Sequence, residues 1–314
     1  MPQLSIARLF DDNRSELRLT WHHGDRDGCP PLDSKHIHSS TKGLIGHLNY
    51  IHPNWIQIFS HTEAEYFAGL GEAASEPIFA RLMAGEPACI ILSDGESAPL
   101  LLEAKAREHG IPIFHSPIPS LQIIWVIRTY LSRELAEFVN RHGVMLDVLG
   151  MGVMLTGDSG VGKSELALEL ITRGSGLVAD DVVELYHITP QTLEARCPEM
   201  LKDFLEVRGL GMLNIRTIFG ETAVRTRKNL KLIVQLERPV RGMVPGMERL
   251  PLHAGTEEIM GVAIRKVQLP VAAGRNLAVL VEAAVRNYVL QIRGIDSTLE
   301  FIRRQEQHLG DSDT

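Results

Sequence analysis

Short apolar runs separated by polar, helix-compatible stretches dominate the first half of the chain. Trp55-Ile56-Gln57-Ile58-Phe59 and Ala88-Cys89-Ile90-Ile91-Leu92 read as strands, the second stopped by Ser93-Asp94-Gly95. Between them, Thr62 is placed to cap a helix running to about Leu70, with Glu65 completing a capping box. Leu100 to Glu108 reads as a helix ended by Gly110, and Ile111-Pro112-Ile113-Phe114 as a further short strand. Strands alternating with helices predict a small, mostly parallel α/β domain. Residues 1–45 show no clear period and include the loop-like stretch His22-His23-Gly24-Asp25-Arg26-Asp27-Gly28.

From Leu121 to about Arg141 the pattern is helical, with Ile123, Ile124, Val126, Ile127, Tyr130, Leu131, Leu135 and Phe138 as its apolar positions and charges in its second half. This segment is expected to connect an N-terminal α/β domain, residues 1–130, to a second domain, residues 131–314. The second domain opens with two apolar runs, Val144 to Leu149 and Val153 to Leu155, joined by Gly150-Met151-Gly152. That spacing predicts a β-hairpin. Near the C-terminus a helix is expected from Arg275 or Asn276 to about Leu290, and another capped by Ser297 with Glu300 at the capping-box position.

A content of 44% hydrophobic and 23% charged residues over 314 positions is that of a globular protein with one large or two ordinary domains. The net charge of −7 argues against a broad nucleic-acid footprint. No stretch approaches the length of a membrane span. Cys29, Cys89 and Cys197 are odd in number and far apart, and the first turns carry Asp11, Asp12 and Arg14 rather than a signal-type apolar region. A reduced, cytoplasmic setting is expected. Histidines 22, 23, 36, 38, 47, 52 and 61 crowd the N-terminal half without the spacing of a zinc site. The basic cluster Arg225, Arg227, Lys228 and Lys231 reads as a solvated face.

The chemistry is announced by Gly157-Asp158-Ser159-Gly160-Val161-Gly162-Lys163-Ser164, which fits the phosphate-loop pattern G-x-x-x-x-G-K-[ST]. Glycines let backbone N–H groups turn inward around a phosphate chain, the lysine reaches the β- and γ-phosphates, and the hydroxyl can sit on Mg²⁺. Val153-Met154-Leu155 before the motif and Ser164 to Ile171 after it supply the strand and helix that the loop requires. Because the strand entering the loop belongs to a hairpin, it acquires an antiparallel neighbour, unlike the all-parallel surroundings of the common nucleotide-binding fold. Two segments compete to supply acids. Asp180-Asp181 ends the run Leu177-Val178-Ala179, and Glu237 ends Leu232 to Leu236. The adjacent pair is preferred, because neighbouring carboxylates at a strand end point apart, one to a metal and one to an acceptor.

These motifs, together with Arg141-His142-Gly143, Glu206-Val207-Arg208-Gly209-Leu210-Gly211, Glu248-Arg249-Leu250 and Gly274-Arg275-Asn276-Leu277, resemble the HPr kinase/phosphorylase family in order and spacing. The resemblance implies a nucleotide domain similar to that of phosphoenolpyruvate carboxykinase. It implies ATP- and Mg²⁺-dependent phosphorylation of a serine of the phosphocarrier protein HPr, reversed with inorganic phosphate, with pyrophosphate open as an alternative donor. It also implies that Lys163 contacts the phosphates, Ser164 and Glu206 hold Mg²⁺, Asp181 is the base, His142 lies by the transferred phosphate and Arg249 supports the transition state. The segment Pro270-Val271-Ala272-Ala273-Gly274-Arg275 is assigned to dephosphorylation, with Ala272-Ala273 standing where many members carry Arg-Pro. The family forms hexamers. Two rival readings stay open, a kinase of a small hydroxylated metabolite and a nucleotide-sensing regulator without catalysis.

Overall fold

The computed structural model describes residues 3–26, 28–238, 255–272 and 274–310. Two compact units divide the chain between Glu137 and Phe138.

The first unit is built on a five-stranded sheet in the order Thr20–His23, Ile113–His115, Cys89–Leu92, Asn54–Phe59, Gly43–His47. Its last four strands are parallel, and the edge strand Thr20–His23 is antiparallel. The apolar runs are continuous because both faces are covered. Ile56, Ile58, Cys89 and Ile91 face a core that includes Ile123, Ile127 and Leu131 of helix Ser120–Glu134. Phe59, Ile90 and Leu92 face a core with Phe79, Leu82 and Leu102. Helix Ser120–Glu134 is therefore a wall of this unit and not a connector reaching Arg141. It stops once its apolar stripe has left the sheet, and Phe138–His142 continues as a strand. The helix after Phe59 is capped two residues earlier than expected. Ser60, still extended at the strand end, and Glu63 form the capping box. Helix Ile6–Asn13, capped by Ser5, and helix Glu72–Ala84, which runs through Pro77, are not among the elements predicted from the sequence.

The second unit holds a nine-stranded sheet. Val144–Val148 and Met151–Gly157 form the predicted hairpin, but the turn is Leu149-Gly150, with φ of 53° and 84°. Two positive φ values in a two-residue loop match the right-handed strand twist. Gly152 is thereby placed inside the strand, where a Cβ would overlap the Asn229 carbonyl oxygen of the neighbouring strand. We predict that Gly152→Ala lowers the unfolding free energy by about 2–4 kcal/mol, because two backbones must separate. Denaturant unfolding of the variant measures this, and an unchanged midpoint would contradict the close approach.

Met151–Gly157 pairs antiparallel with Val144–Val148 on one side and parallel with Arg227–Glu237 on the other. The strand order is Gly176–Ala179, Val144–Val148, Met151–Gly157, Arg227–Glu237, Thr192–Arg196, Val182–Thr189, Phe138–His142, with Val262–Pro270 pairing beside Arg227–Glu237. Gly176–Ala179 and Val182–Thr189 are consecutive in sequence yet near opposite ends of this order, so the sheet bends back on itself. Met145, Met154, Val183, Leu185 and Ile233 fill the inside of the bend. The outer face packs against helices Lys163–Thr172 and Leu277–Ile292, which Arg173 and Glu282 join through two 2.8 Å hydrogen bonds.

Two expectations need correction here. Arg225 and Lys228 do not form a solvated face: both pair with the buried Asp147 carboxylate, at 3.1 and 3.0 Å, because that strand residue otherwise lacks a counter-charge. The last helix, Ser297–Gly310, is capped by Asp296, which accepts from the N–H groups of Thr298 and Leu299. Among the described residues no helix is long and apolar enough to cross a membrane.

Candidate active site

The phosphate loop leaves strand Met151–Gly157 and enters helix Lys163–Thr172. Gly157, Gly160 and Gly162 have φ of 135°, 69° and 105°. At Gly157 a side chain would also collide with the Leu236 carbonyl of the parallel neighbour. The motif glycines are thus required by backbone shape, which is the shape that turns N–H groups inward. Lys163 is 8% exposed, and its Nζ donates to the carbonyls of Gly157 and Asp158 at 2.9 and 3.1 Å. The ammonium is held across the mouth of its own loop.

Asp180 and Asp181 occupy the link where the sheet bends, and they face different surroundings as their adjacency predicts. The Asp180 carboxylate is buried and accepts from the Glu206 backbone N–H at 2.8 Å. Burial raises its pKa above the usual carboxylate range, and the N–H groups of Glu206 and Asp181 work against that rise. Asp181 has φ of 64° and lies between Asp180 O and Val182 N, which are hydrogen-bonded at 2.8 Å. This is a γ-turn of the rare positive-φ kind, a strained conformation held by its surroundings. The His142 ring holds it, with Nδ1 at 3.0 Å from Asp181 O and 2.9 Å from Asp181 Oδ1. The Gly143 N–H also donates to Asp181 O, at 3.2 Å.

Glu206 ends the hairpin Phe204–Val207 and Gly211–Asn214, whose turn uses Gly209 at φ of 86°. Arg216 anchors this hairpin through a two-point contact with Asp203, at 2.6 and 3.2 Å. The cleft between the loop, the acid pair and the hairpin has a volume of about 370 Å³. It is lined by Lys163, Ser164, Asp180, Asp181, Glu206 and His142 among others, so residues spread over 65 positions meet in one place. Ser164 and Glu206 bring a hydroxyl and a carboxylate, oxygen donors of the kind a hard cation takes, to the cleft lining, but among the described residues no three His, Cys, Asp or Glu side chains are grouped so as to hold a metal ion.

Three arginines escaped the sequence reading as site components. Arg208 lines the cleft, its guanidinium and that of Arg238 both approach Gly160, and Arg238 donates to the Gly160 carbonyl. Arg216 acts at one remove, through Asp203. Arg208 stood inside a quoted motif; Arg238 follows the apolar strand ending in Glu237 and has no local pattern to mark it. Glu237 itself does not line the cleft. Pro270, Val271, Ala272, Gly274 and Arg275 do not line it either; Val271 N–H donates to Glu237 O at 2.8 Å, and Arg275 N–H to Ala272 O at 3.3 Å. Glu248, Arg249, Leu250 and Ala273 lie outside the described residues.

The raised Asp180 pKa has a definite sign in stability. A carboxyl whose folded pKa exceeds its unfolded value contributes fully below the unfolded pKa, and that contribution is lost as pH rises through the folded pKa. Asp180→Asn keeps an acceptor for the Glu206 N–H and removes the titration. Its melting temperature relative to the unaltered protein should therefore climb as pH rises from about 4, the unfolded value. A difference that is constant across pH would sink this account.

Comparison with known proteins is consistent across the chain. Residues 4–131 match the HPr Serine kinase N terminus and residues 133–305 match the HPr Serine kinase C-terminal domain. A protein of Nitrosomonas europaea described as HPr kinase/phosphorylase is 56% identical over 309 residues, covering 98% of this chain and 96% of the relative. One of Chromobacterium violaceum with the same description is 49% identical over 313 residues, covering 100% and 98%. The solved HPr(Ser) kinase/phosphatase of Coxiella burnetii shares 35% identity with a TM-score of 0.47, covering 52% of this chain and 98% of that one. With both domain matches in sequence order and a relative this similar along nearly its whole length, the chain belongs to the HPr serine kinase family.

Proposed function

We propose that this protein transfers the γ-phosphoryl group of ATP to a serine hydroxyl of HPr and catalyses the reverse phosphorolysis with inorganic phosphate. The observation that carries the reading is the Asp181 carboxylate, braced by His142, lining the same cleft as Lys163 of the phosphate loop. A site that merely bound nucleotide would need the loop but not a strained, oriented carboxylate on the acceptor side.

In this reading the loop N–H groups and Lys163 bind the phosphates. Arg238 holds the loop tip through the Gly160 carbonyl, with the Arg208 guanidinium close by. Ser164 and Glu206 would hold Mg²⁺, with Asp180 fixing the Glu206 backbone. When bound, Mg²⁺ neutralises phosphate charge during transfer. Asp181 takes the proton of the serine hydroxyl as its oxygen bonds to the γ-phosphorus and the bond to the β-phosphate oxygen breaks, giving ADP. In reverse, inorganic phosphate attacks phosphoserine, Asp181 returns the proton to the leaving serine oxygen, and pyrophosphate forms. His142 keeps the carboxylate directed at the acceptor. Arg249 and the segment Pro270 to Arg275 are assigned to transition-state support and to the reverse direction. The antiparallel neighbour of the loop strand supports a nucleotide domain like that of phosphoenolpyruvate carboxykinase. A cytoplasmic hexamer with a regulatory N-terminal unit completes the reading.

Intact-mass spectrometry of purified HPr incubated with the protein, Mg²⁺ and ATP tests it. The expected gain is one phosphoryl group, about 80 Da, on serine, removed by excess phosphate. A gain that phosphate cannot reverse would confine the activity to the kinase direction and implicate Ala272-Ala273. No gain with ATP still bound would overturn the proposal.

A further inference from the structure

A second cavity, of about 360 Å³, lies on the opposite side of the loop strand from its helix. Met154, Ile233 and Ile259 give it an apolar floor, and Arg141, Lys266 and Glu257 stand around it. It shares His142 with the phosphate cleft and touches Gly157, where the loop begins, but Lys163 and Ser164 are not part of it. The reaction described above uses none of Arg141, Lys266, Glu257, Thr156 or Gln235.

The charges do not balance within the wall. Lys266 and Glu257 pair at 3.0 Å, and both stay partly exposed. The exposed Arg141 forms no ion pair among the described residues. Among the described residues the wall therefore carries one guanidinium without an ion-pair partner, and one further cation whose partner is also on the rim. An apolar floor with a few convergent polar groups and a net positive rim is the composition of a small-molecule site. Guanidinium groups favour planar oxyanions, which they bind through two parallel bonds.

We propose that this cavity binds a small organic anion, one carboxylate or phosphoryl group on a short apolar body. Arg141 and Lys266 hold the anion, Met154, Ile233 and Ile259 pack on the body, and Glu257 opposes the charge. Because its walls include His142 and the start of the loop, a molecule bound here touches both the partner of Asp181 and the root of the phosphate cradle.

The test is methyl NMR of the full chain labelled at methionine and isoleucine methyls, with the phosphate loop first saturated by a non-hydrolysable ATP analogue and Mg²⁺. The probes are propyl phosphate for the phosphoryl class and butyrate for the carboxylate class. At least one probe should shift the Met154, Ile233 and Ile259 signals saturably, and which one does so identifies the anion class. Arg141→Gln and Lys266→Gln should each weaken that binding about tenfold, the loss of one charge-assisted contact. Glu257→Gln should tighten it, which a purely structural role for the ion pair does not predict. Shifts seen only when the ATP analogue is left out would mean one shared site and overturn the proposal. So would shifts indifferent to all three substitutions, or no saturable shift with either probe in a protein that still binds the analogue.

Discussion

Lys163→Met should reduce phosphoryl transfer to HPr by about a thousandfold, the scale seen when a single preorganised charge is removed from a transition state. The side chain is buried and its ammonium is held by the Gly157 and Asp158 carbonyls, so its charge is already in place before any phosphate arrives. Methionine keeps most of the stem volume, which separates lost charge from lost packing. Phosphate affinity should fall together with the rate, because the same ammonium faces ground state and transition state. Initial rates of phospho-HPr formation, nucleotide titration and thermal unfolding distinguish the outcomes. Transfer at the original rate in a folded variant would remove the loop from the chemistry.

Asp181→Asn should give the other large effect, with the opposite signature. Asparagine preserves size and tolerates the positive φ that Asp181 adopts, so the turn should persist. What disappears is the capacity to accept a proton, worth about a hundredfold to ten-thousandfold in general-base catalysis. The turnover number should fall by that amount while nucleotide affinity changes little, since the proposed role of Asp181 is toward the acceptor. A collapse of nucleotide affinity with turnover of bound ATP unchanged would refute the base assignment. His142→Ala makes a useful companion: losing the brace without losing the carboxylate should produce a smaller fall in the same parameter.

The parts of the structure legible in the sequence are those encoded within a few residues. The loop motif, its flanking strand and helix, and the hairpin from Val144 to Gly157 all declare themselves through spacing and glycine placement. The turn moved by one residue because Leu149 accepts a positive φ, which no local pattern reveals. The acid pair stands out by its adjacency, but not the burial of Asp180 under the Glu206 backbone or the bracing of Asp181 by His142; both depend on the sheet bending back. Helix Ser120–Glu134 shows the same limit. Its helical pattern is legible, but the apolar positions do not say which of them cover a sheet, or which sheet. Arg238 lay beyond reach altogether, since its contact with Gly160 joins residues with no shared pattern.

The position of the acid pair at the bend also fixes what folding must complete before chemistry is possible. The Asp181 turn is locked by groups 39 positions away, and Asp180 meets a partner 26 positions away. The cradle is no more local, since the Gly160 carbonyl is held by Arg238, 78 positions away. Each closure costs conformational entropy that only the assembled sheet offsets. A half-folded second unit is therefore neither a complete nucleotide binder nor a kinase.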